Sequence, residues 1–226
     1  MIYPRPEVLV FDMDGVLVDV SQSYRETIRR TVFRFTGRQV SPAQVQDYKN
    51  RGGFNNDWDL SFQLIRELGA NPSYEEVITC FQGIFLGENG DGLIMRERWI
   101  PQPGLLERLA ARFRLAIFTG RLRREAEVTL GRFARSVRFD PILTHEDVAR
   151  PKPYPDGLLQ IAAGGGRLCY IGDAVDDARA ARAAGIAFIG VAAPENPRRD
   201  QLRELLRQEG ALAVLDEVNQ LEGLLK

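Results

Sequence analysis

Short apolar runs alternate with helical patterns along most of the chain, and this alternation limits the possible folds more than any other feature. The runs that have the composition of buried strands are residues 8–11, 115–118, 142–143, 168–171, 187–191 and, more weakly, 213–215. Helical patterns separate or follow the later runs at residues 105–111, 122–133, 156–162, 177–184 and 202–208. Strands that alternate with helices form a parallel sheet covered on both faces. The sequence therefore predicts an α/β fold with a doubly wound, Rossmann-like parallel sheet.

The interval between residues 21 and 90 breaks this alternation. It contains no convincing strand, but apolar residues recur at helical spacing, and Ser73 and Glu76 form the capping-box pattern of a helix start. The interval is far longer than the dozen or so residues that a crossover between parallel strands needs. We therefore expect an all-helical cap domain at residues 20–97, inserted into a catalytic core made of residues 1–19 and 98–226.

The overall charge excludes several classes of partner. A net charge of −1 and an isoelectric point near 6.0 give no general attraction to nucleic acid or to an anionic membrane. No apolar run is long enough to span a membrane, and the N-terminus lacks a signal-peptide pattern. Cys80 and Cys169 lie far apart and are expected to stay reduced. We therefore expect a cytoplasmic protein, a monomer or small homo-oligomer, without a nucleic-acid or membrane partner.

Two aspartates directly follow the first apolar run, in the stretch EVLVFDMDGVLVD at residues 7–19. Burying the carboxylates of Asp12 and Asp14 beside a hydrophobic strand is costly unless a positive group compensates them. A carboxylate at a strand end can attack phosphorus, and a second carboxyl two residues further on can move the proton of the leaving group. The pair therefore indicates phosphoryl transfer in which one aspartate attacks and the other carries the proton.

Polar residues also follow the other predicted strands. In doubly wound folds, ligands bind beyond the carboxyl ends of the strands. The residues expected at this edge are Asp12, Asp14, Thr119, Gly120, Arg121, Lys152, Asp173, Asp176 and Asp177. Carboxylate oxygens select a hard cation, most of all Mg²⁺, and a single histidine, His145, argues against zinc. Thr119 and Lys152 would then donate to phosphoryl oxygens.

Four segments in chain order resemble the signature motifs of the haloacid dehalogenase superfamily: DMDGVLVD, Thr119 after its apolar strand, KPYPD, and GDAVDDARAARAAG. The resemblance covers nearly the whole chain and is nearest to phosphatases with a small helical cap, of the phosphoglycolate phosphatase and β-phosphoglucomutase type. It implies that Asp12 is the nucleophile, that Asp14 is the general acid/base, and that Thr119 and Lys152 act on the phosphoryl group. The metal ligands that it implies are Asp12, Asp14 through its backbone carbonyl, Asp173 directly, and Asp177 through water or a neighbouring ligand.

The segment DYKNRGGFNNDWDL at residues 47–60 has the most unusual chemistry of the insert. We expect a polar loop that joins two helices and carries four donors: Lys49, Arg51, Asn55 and Asn56. In capped members of the superfamily the equivalent loop faces the catalytic site. These four residues, with Gly120 and Arg121 of the core, are therefore expected to bind the substrate. The alternative is a polar linker in which Asn56 or Asp57 caps a helix.

These observations together predict a Mg²⁺-dependent phosphatase that hydrolyses a small phosphorylated metabolite through an aspartyl phosphate. A phosphomutase of the β-phosphoglucomutase type would share every motif and differ in how the phosphoenzyme is discharged. A non-enzymatic metabolite sensor with the same fold is a more distant alternative. Phosphoglycolate, a sugar phosphate, and an amino-alcohol phosphate such as histidinol phosphate would each fit a small polar site, and the sequence does not choose among them.

Overall fold

The computed structural model describes residues 5–225 of the chain. Its strands are β1 (Val8–Phe11), β2 (Val18–Asp19), β3 (Arg98–Trp99), β4 (Arg114–Phe118), β5 (Ile142–Leu143), β6 (Leu168–Gly172), β7 (Ala187–Val191) and β8 (Ala213–Leu215). Six of them form one parallel sheet in the order β5-β4-β1-β6-β7-β8, while β2 and β3 form a separate antiparallel ribbon. The predicted parallel sheet is confirmed, and every predicted strand lies within one residue of its expected bounds.

Helices cover the sheet and form the insert. They are α1 (Tyr24–Thr36), α2 (Pro42–Arg51), α3 (Asp57–Glu67), α4 (Tyr74–Leu86), α5 (Leu105–Ala110), α6 (Arg123–Phe133), α7 (Asp156–Ala163), α8 (Val175–Ala184), α9 (Arg199–Gln208) and α10 (Leu221–Leu224). The predicted helices of the sheet region begin and end within three residues of these bounds. No helix within residues 5–225 is long and apolar enough to cross a membrane.

Helix α2 is a difference from the sequence prediction. Its N-terminus is a capping box, in which Ser41 and Gln44 bond to each other's backbone, with Pro42 at the first helical position. The helix continues to Arg51, so the expected loop begins only at Gly52. The prediction that Lys49 and Arg51 lie on a loop is therefore wrong, since both belong to the last turn of α2.

The sheet separates two apolar cores, because successive side chains of a strand point to opposite faces. In β1, Leu9 and Phe11 belong to one core, while Val8 and Val10 belong to the other, and all are buried. A sheet covered on both faces exposes its polar groups mainly at the strand ends. The carboxyl edge of this sheet is therefore where a site can form.

The helical insert shares its core with one face of the sheet. Ile28 of α1 and Phe81 and Phe85 of α4 are fully buried in the same cluster as Leu9 and Phe11. The predicted capping box of Ser73 and Glu76 starts α4. This continuous packing holds the insert against the carboxyl edge of the sheet.

The ribbon of β2 and β3 lies where the chain leaves the sheet region and where it returns. Val18 pairs with Trp99, and Asp19 pairs with Arg98. On this basis we propose the division into a core of residues 1–19 and 98–226 and a cap of residues 20–97. The ends of that proposal at residues 1–4 and 226 lie outside the described residues.

Candidate active site

Asp12 lies in the middle of the edge where the parallel strands end. It follows β1, which pairs with β4 on one side and β6 on the other. The backbone N–H of Asp12 donates to the carbonyl oxygen of Ile171 at 2.8 Å and so continues the ladder to β6. The Asp12 carboxylate is therefore held by rigid backbone, and it lines a pocket between the sheet edge and the helical insert.

A buried ammonium compensates this carboxylate. Lys152 Nζ lies 3.0 Å from Asp12 Oδ1 and 2.7 Å from Asp177 Oδ1, and it donates to the Tyr170 hydroxyl at 3.1 Å. Burial lowers the pKa of Lys152, but the two carboxylates outweigh burial and keep the pKa above its ordinary value. Lys152 therefore stays charged and holds the Asp12 carboxylate in one orientation.

Three carboxylates gather at this point. Asp12, Asp173 and Asp177 each offer an oxygen within 4.8 Å of the other two. Burial raises the pKa of Asp12 well above its ordinary value and that of Asp173 to about 7. Asp12 and Asp177 are buried and Asp173 is half-buried, and a donor set made only of oxygens fits a hard divalent cation such as Mg²⁺. These residues therefore fit the expected metal.

Gly15 leaves room for the carboxylate of Asp173. Its φ is +70°, and a Cβ at this position would lie 1.9 Å from Asp173 Oδ2. Asp177, the next acidic residue of the cluster, is anchored differently, because its Oδ2 accepts from the backbone N–H groups of Asp173 and Ala174 at 3.1 and 3.0 Å. The turn after β1 and the start of α8 thus place the cluster together.

Asp14 faces the same pocket and is bound by Arg121. Arg121 donates from Nε to Asp14 Oδ1 at 2.7 Å, and its Nη2 lies 2.6 Å from the same oxygen. The Nη2 atom also lies 2.8 Å from Glu97 Oε1. Arg121 Nη1 donates to the Thr129 hydroxyl, which in turn donates to Glu97 Oε2. The guanidinium thus lies among protein groups, while Arg121 also lines the pocket, and its contact with the substrate stays a prediction.

Thr119 and Gly120 stand at the end of β4. The Thr119 side chain is buried, and its hydroxyl accepts from the backbone N–H of Arg121 at 3.2 Å. That hydroxyl keeps its own proton for another acceptor. Gly120 lines the pocket and leaves open space there, which the side chain of Asn55 fills from the insert.

The four donors of the insert are placed very differently from one another. Lys49 lines the pocket, but it forms an ion pair with Asp57. The Arg51 guanidinium lies 4.5 Å from the ring centroid of Tyr48, and Arg51 does not line this pocket, so its contact with the substrate stays a prediction. Asn56 lines the pocket, but its Oδ1 accepts from the backbone N–H of Trp58 at 2.8 Å and caps α3. Asn56 is thus a helix cap, while its substrate contact stays a prediction because the cap uses only Oδ1.

Several pocket residues escaped the sequence reasoning. Tyr24 appears in the sequence only as an apolar position of a helix, yet its hydroxyl donates to Glu125 at 2.6 Å. Gln82 donates to the other Glu125 oxygen at 2.9 Å, which joins the insert to α6. Arg25 also lines the pocket, and its buried Nη1 has no hydrogen-bond partner within residues 5–225. No spacing signal connects these residues, because they meet only after folding.

Asp176 contributes a contact of its own between core and insert. The sequence suggests only a charge at a helix start, but both oxygens of Asp176 accept from the backbone N–H of Gly53, at 2.8 and 2.9 Å. Burial raises the pKa of Asp176, while the Gly53 hydrogen bond works in the opposite direction. The loop after α2 is thereby attached to α8 beside the carboxylate cluster.

Comparison with known proteins gives the family context for this geometry. The sequence model of the haloacid dehalogenase-like hydrolases matches residues 6–185. Imidazoleglycerol-phosphate dehydratase of Phytophthora nicotianae is 34% identical over 228 residues, which cover 92% of this chain and 50% of that protein. The chain therefore spans about half the length of this relative. The probable phosphatase IndB of Dickeya dadantii is 27% identical, over 81% of this chain and 80% of that protein.

A solved structure supports the fold. A predicted phosphoglycolate phosphatase of Haemophilus somnus superposes with a TM-score of 0.75 at 19% identity, covering 97% of this chain and 98% of that chain. At this identity the likeness concerns the fold, in which sheet and helical insert are both matched across almost the whole chain.

Proposed function

The chain belongs to the haloacid dehalogenase-like hydrolase family, and on that premise we propose that it is a Mg²⁺-dependent phosphatase that hydrolyses a small phosphorylated metabolite through an aspartyl phosphate. The observation that carries the proposal is the buried Asp12 carboxylate, which lies 3.0 Å from Lys152 Nζ and lines one pocket with Asp14. A nucleophilic carboxylate, a fixed positive charge and a second carboxyl are the groups that this chemistry needs.

In the first step an Asp12 oxygen attacks phosphorus, and the bond from phosphorus to the ester oxygen breaks. Lys152 orients the attacking carboxylate through its contact with Oδ1. Lys152 and the Thr119 hydroxyl donate to phosphoryl oxygens as negative charge develops on them. Asp14, in its protonated form, gives its proton to the leaving oxygen, so the metabolite departs as an alcohol.

In the second step a water molecule attacks the phosphorus of the aspartyl phosphate. The Asp14 carboxylate takes a proton from this water, the bond between phosphorus and the Asp12 oxygen breaks, and inorganic phosphate leaves. Asp12 is thereby restored as a carboxylate. Arg121 contacts Asp14 through Oδ1 and thereby orients this side chain in the pocket.

The proposed metal ligands are Asp12, Asp173, Asp177 and the backbone carbonyl of Asp14. Bound Mg²⁺ would supply positive charge to the phosphoryl and carboxylate oxygens. The helical insert would exclude bulk water from the site while the substrate is bound and reopen for product release.

The names of the relatives suggest which substrates to try first. One relative is named for imidazoleglycerol phosphate, and a fold neighbour is a predicted phosphoglycolate phosphatase. Both names describe compact phosphomonoesters, and a small helical insert suits compact soluble substrates. The partner that we propose is therefore a small phosphorylated metabolite, for a cytoplasmic monomer or small homo-oligomer.

The test is phosphate release from a panel of phosphomonoesters, with Mg²⁺ or with EDTA, for the wild type and for Asp12→Asn. The panel contains phosphoglycolate, imidazoleglycerol phosphate, histidinol phosphate and several sugar phosphates. We expect metal-dependent release that Asp12→Asn abolishes, because an amide cannot serve as this nucleophile. Isomerisation of a sugar phosphate without phosphate release would show that the protein is a mutase and not a phosphatase. Binding of a metabolite without turnover would favour a sensor.

A further inference from the structure

Asn55 of the insert occupies the space in which a side chain at position 120 of the core would lie. A Cβ built on Gly120 would be 2.6 Å from Asn55 Nδ2 and 3.4 Å from Asn55 Cγ. A contact this short means that no side chain fits at position 120 unless the Asn55 amide moves. The glycine and the amide are therefore complementary in shape, although 65 residues of sequence separate them.

The Asn55 amide is free to bind a ligand. Its backbone carbonyl accepts from Lys49 Nζ at 3.4 Å, but its side chain makes no hydrogen bond to another residue within the part of the chain that the structure describes. Asn55 is half-buried, and it lines the pocket together with Asp12 and Gly120. A half-buried amide with no protein partner retains two N–H donors for whatever enters the pocket.

The loop that carries Asn55 is held from both sides. Gly53 donates to both oxygens of Asp176 on α8 of the core. On the insert side, Lys49 pairs with Asp57, and Asn56 caps α3. Asn55 thus stands between two anchored neighbours, and its position relative to Gly120 depends on the insert being docked on the core.

We propose that Asn55 is a phosphoryl-binding residue, which the helical insert places in the space left by Gly120. This inference rests on the proposed phosphatase function. Gly120 directly follows Thr119, the proposed phosphoryl binder, and Asn55 and Gly120 line one pocket with Asp12, which makes the phosphoryl group the proposed partner of the amide. The Nδ2 group donates to a phosphoryl oxygen, and the phosphoryl site is complete only when insert and core are docked.

A contact of Asn55 with the phosphoryl group and a contact with the leaving group would have different effects on the kinetics. A phosphoryl contact is common to all substrates, so its loss weakens every ester by the same factor and also weakens inorganic phosphate, which has no leaving group. A leaving-group contact would change the ranking of esters and would not affect inorganic phosphate. Loss of one hydrogen bond to a charged group corresponds to about a 10- to 100-fold change.

The experiment measures kcat/KM of Asn55→Ala for the best ester of the panel and for 4-nitrophenyl phosphate, together with competitive inhibition by inorganic phosphate. We expect kcat/KM to fall by the same factor for both esters, about 10- to 100-fold, and the inhibition constant of phosphate to rise. Asn71→Ala, which removes an exposed asparagine of the same insert, is the matched control and should change neither quantity.

Two changes at position 120 test the shared space directly. Gly120→Ala should reproduce the loss of Asn55→Ala, because its methyl group displaces Nδ2. The double variant Asn55→Ala with Gly120→Asn should recover activity and phosphate inhibition relative to Asn55→Ala, because the amide returns to the same space from the core side. Thermal unfolding of each variant shows whether it is folded.

The inference is overturned if Asn55→Ala leaves phosphate inhibition unchanged, if it weakens only one of the esters, or if a folded double variant recovers nothing. If the wild type is active and any of these outcomes is observed, the inference about Asn55 is wrong, but the proposed phosphatase function stands. A wild type that releases phosphate from no ester removes the proposed function itself.

Discussion

Replacing Arg121 by methionine tests how much the ion pairs of this buried arginine contribute to the stability of the fold. The Arg121 side chain is 1% exposed and lies between the carboxylates of Asp14 and Glu97, and the Glu97 side chain is fully buried. Methionine keeps much of the volume and removes the charge. Removing one partner of a buried pair costs about 3–5 kcal/mol, because a charge is left buried without compensation. We expect the free energy of unfolding to fall by that amount at neutral pH, mainly through Glu97.

The loss of unfolding free energy caused by Arg121→Met should be larger at neutral pH than at acidic pH. Burial raises the pKa of Glu97 above its ordinary value, against the opposing effects of Arg121 and Thr129. Without Arg121 this pKa rises further. A carboxyl whose pKa is higher in the folded than in the unfolded state destabilises the fold above its folded-state pKa, and the penalty disappears below its unfolded-state pKa. The gap in unfolding free energy between wild type and variant should therefore narrow as the pH falls.

Urea unfolding at about pH 7 and about pH 5 measures this gap. Arg138→Met is the control, since Arg138 pairs with Asp140 on the surface, where the two side chains are 87% and 59% exposed. Adding Glu97→Gln to Arg121→Met should return much of the lost stability, because the uncompensated charge is removed. A loss no larger than that of Arg138→Met, or no recovery from Glu97→Gln, would refute the reasoning.

Three further substitutions test the core, the metal site and the buried lysine. Phe85→Ala should lower the free energy of unfolding in urea by about 3–5 kcal/mol, because Phe85 is fully buried in the core that sheet and insert share. The control Phe33→Ala removes a half-exposed ring and should cost far less, so similar losses would contradict the shared core. Mg²⁺ should raise the Tm of the wild type by binding the folded state, and Asp173→Asn should reduce this rise; an equal rise in both would remove Asp173 from the metal site. Lys152→Met should lower the free energy of unfolding in urea at neutral pH, because it leaves the Asp12 and Asp177 carboxylates without a compensating charge. Unchanged stability would contradict this role of Lys152.

The secondary structure was largely predictable because it depends on near neighbours in the chain. Apolar runs located the strands, and helical periodicity with the Ser73 and Glu76 capping box located α4. The edge at which Asp12, Thr119 and Lys152 meet was predictable for a related reason, since the carboxyl ends of parallel strands must lie on the same side of a sheet. Helix α2 was missed because its apolar face is short, and its polar last turn resembles a loop.

The partners of individual charged side chains were not predictable. The sequence places Arg121 at a strand end, but its partner Glu97 comes 24 residues earlier, at the end of the insert, and only packing brings the two together. In the same way, Lys49 is bound by Asp57, and Asp176 by the backbone of Gly53. An ion pair depends on where two side chains meet in three dimensions, and no period in the sequence encodes that meeting.

By itself, the sequence determined the strand and helix order, the edge of the sheet that holds the carboxylates, and the presence of a helical insert, because each follows from local periodicity and from the geometry of parallel strands. Only the tertiary structure decided which donors remain free in the pocket. Arg121 and Lys49 are paired with carboxylates and Asn56 uses its Oδ1 to cap α3, whereas the Asn55 amide lies against Gly120 and keeps its donors. The physical reason is that folding brings distant groups into contact, and a donor that finds a partner in the fold is no longer available to a ligand.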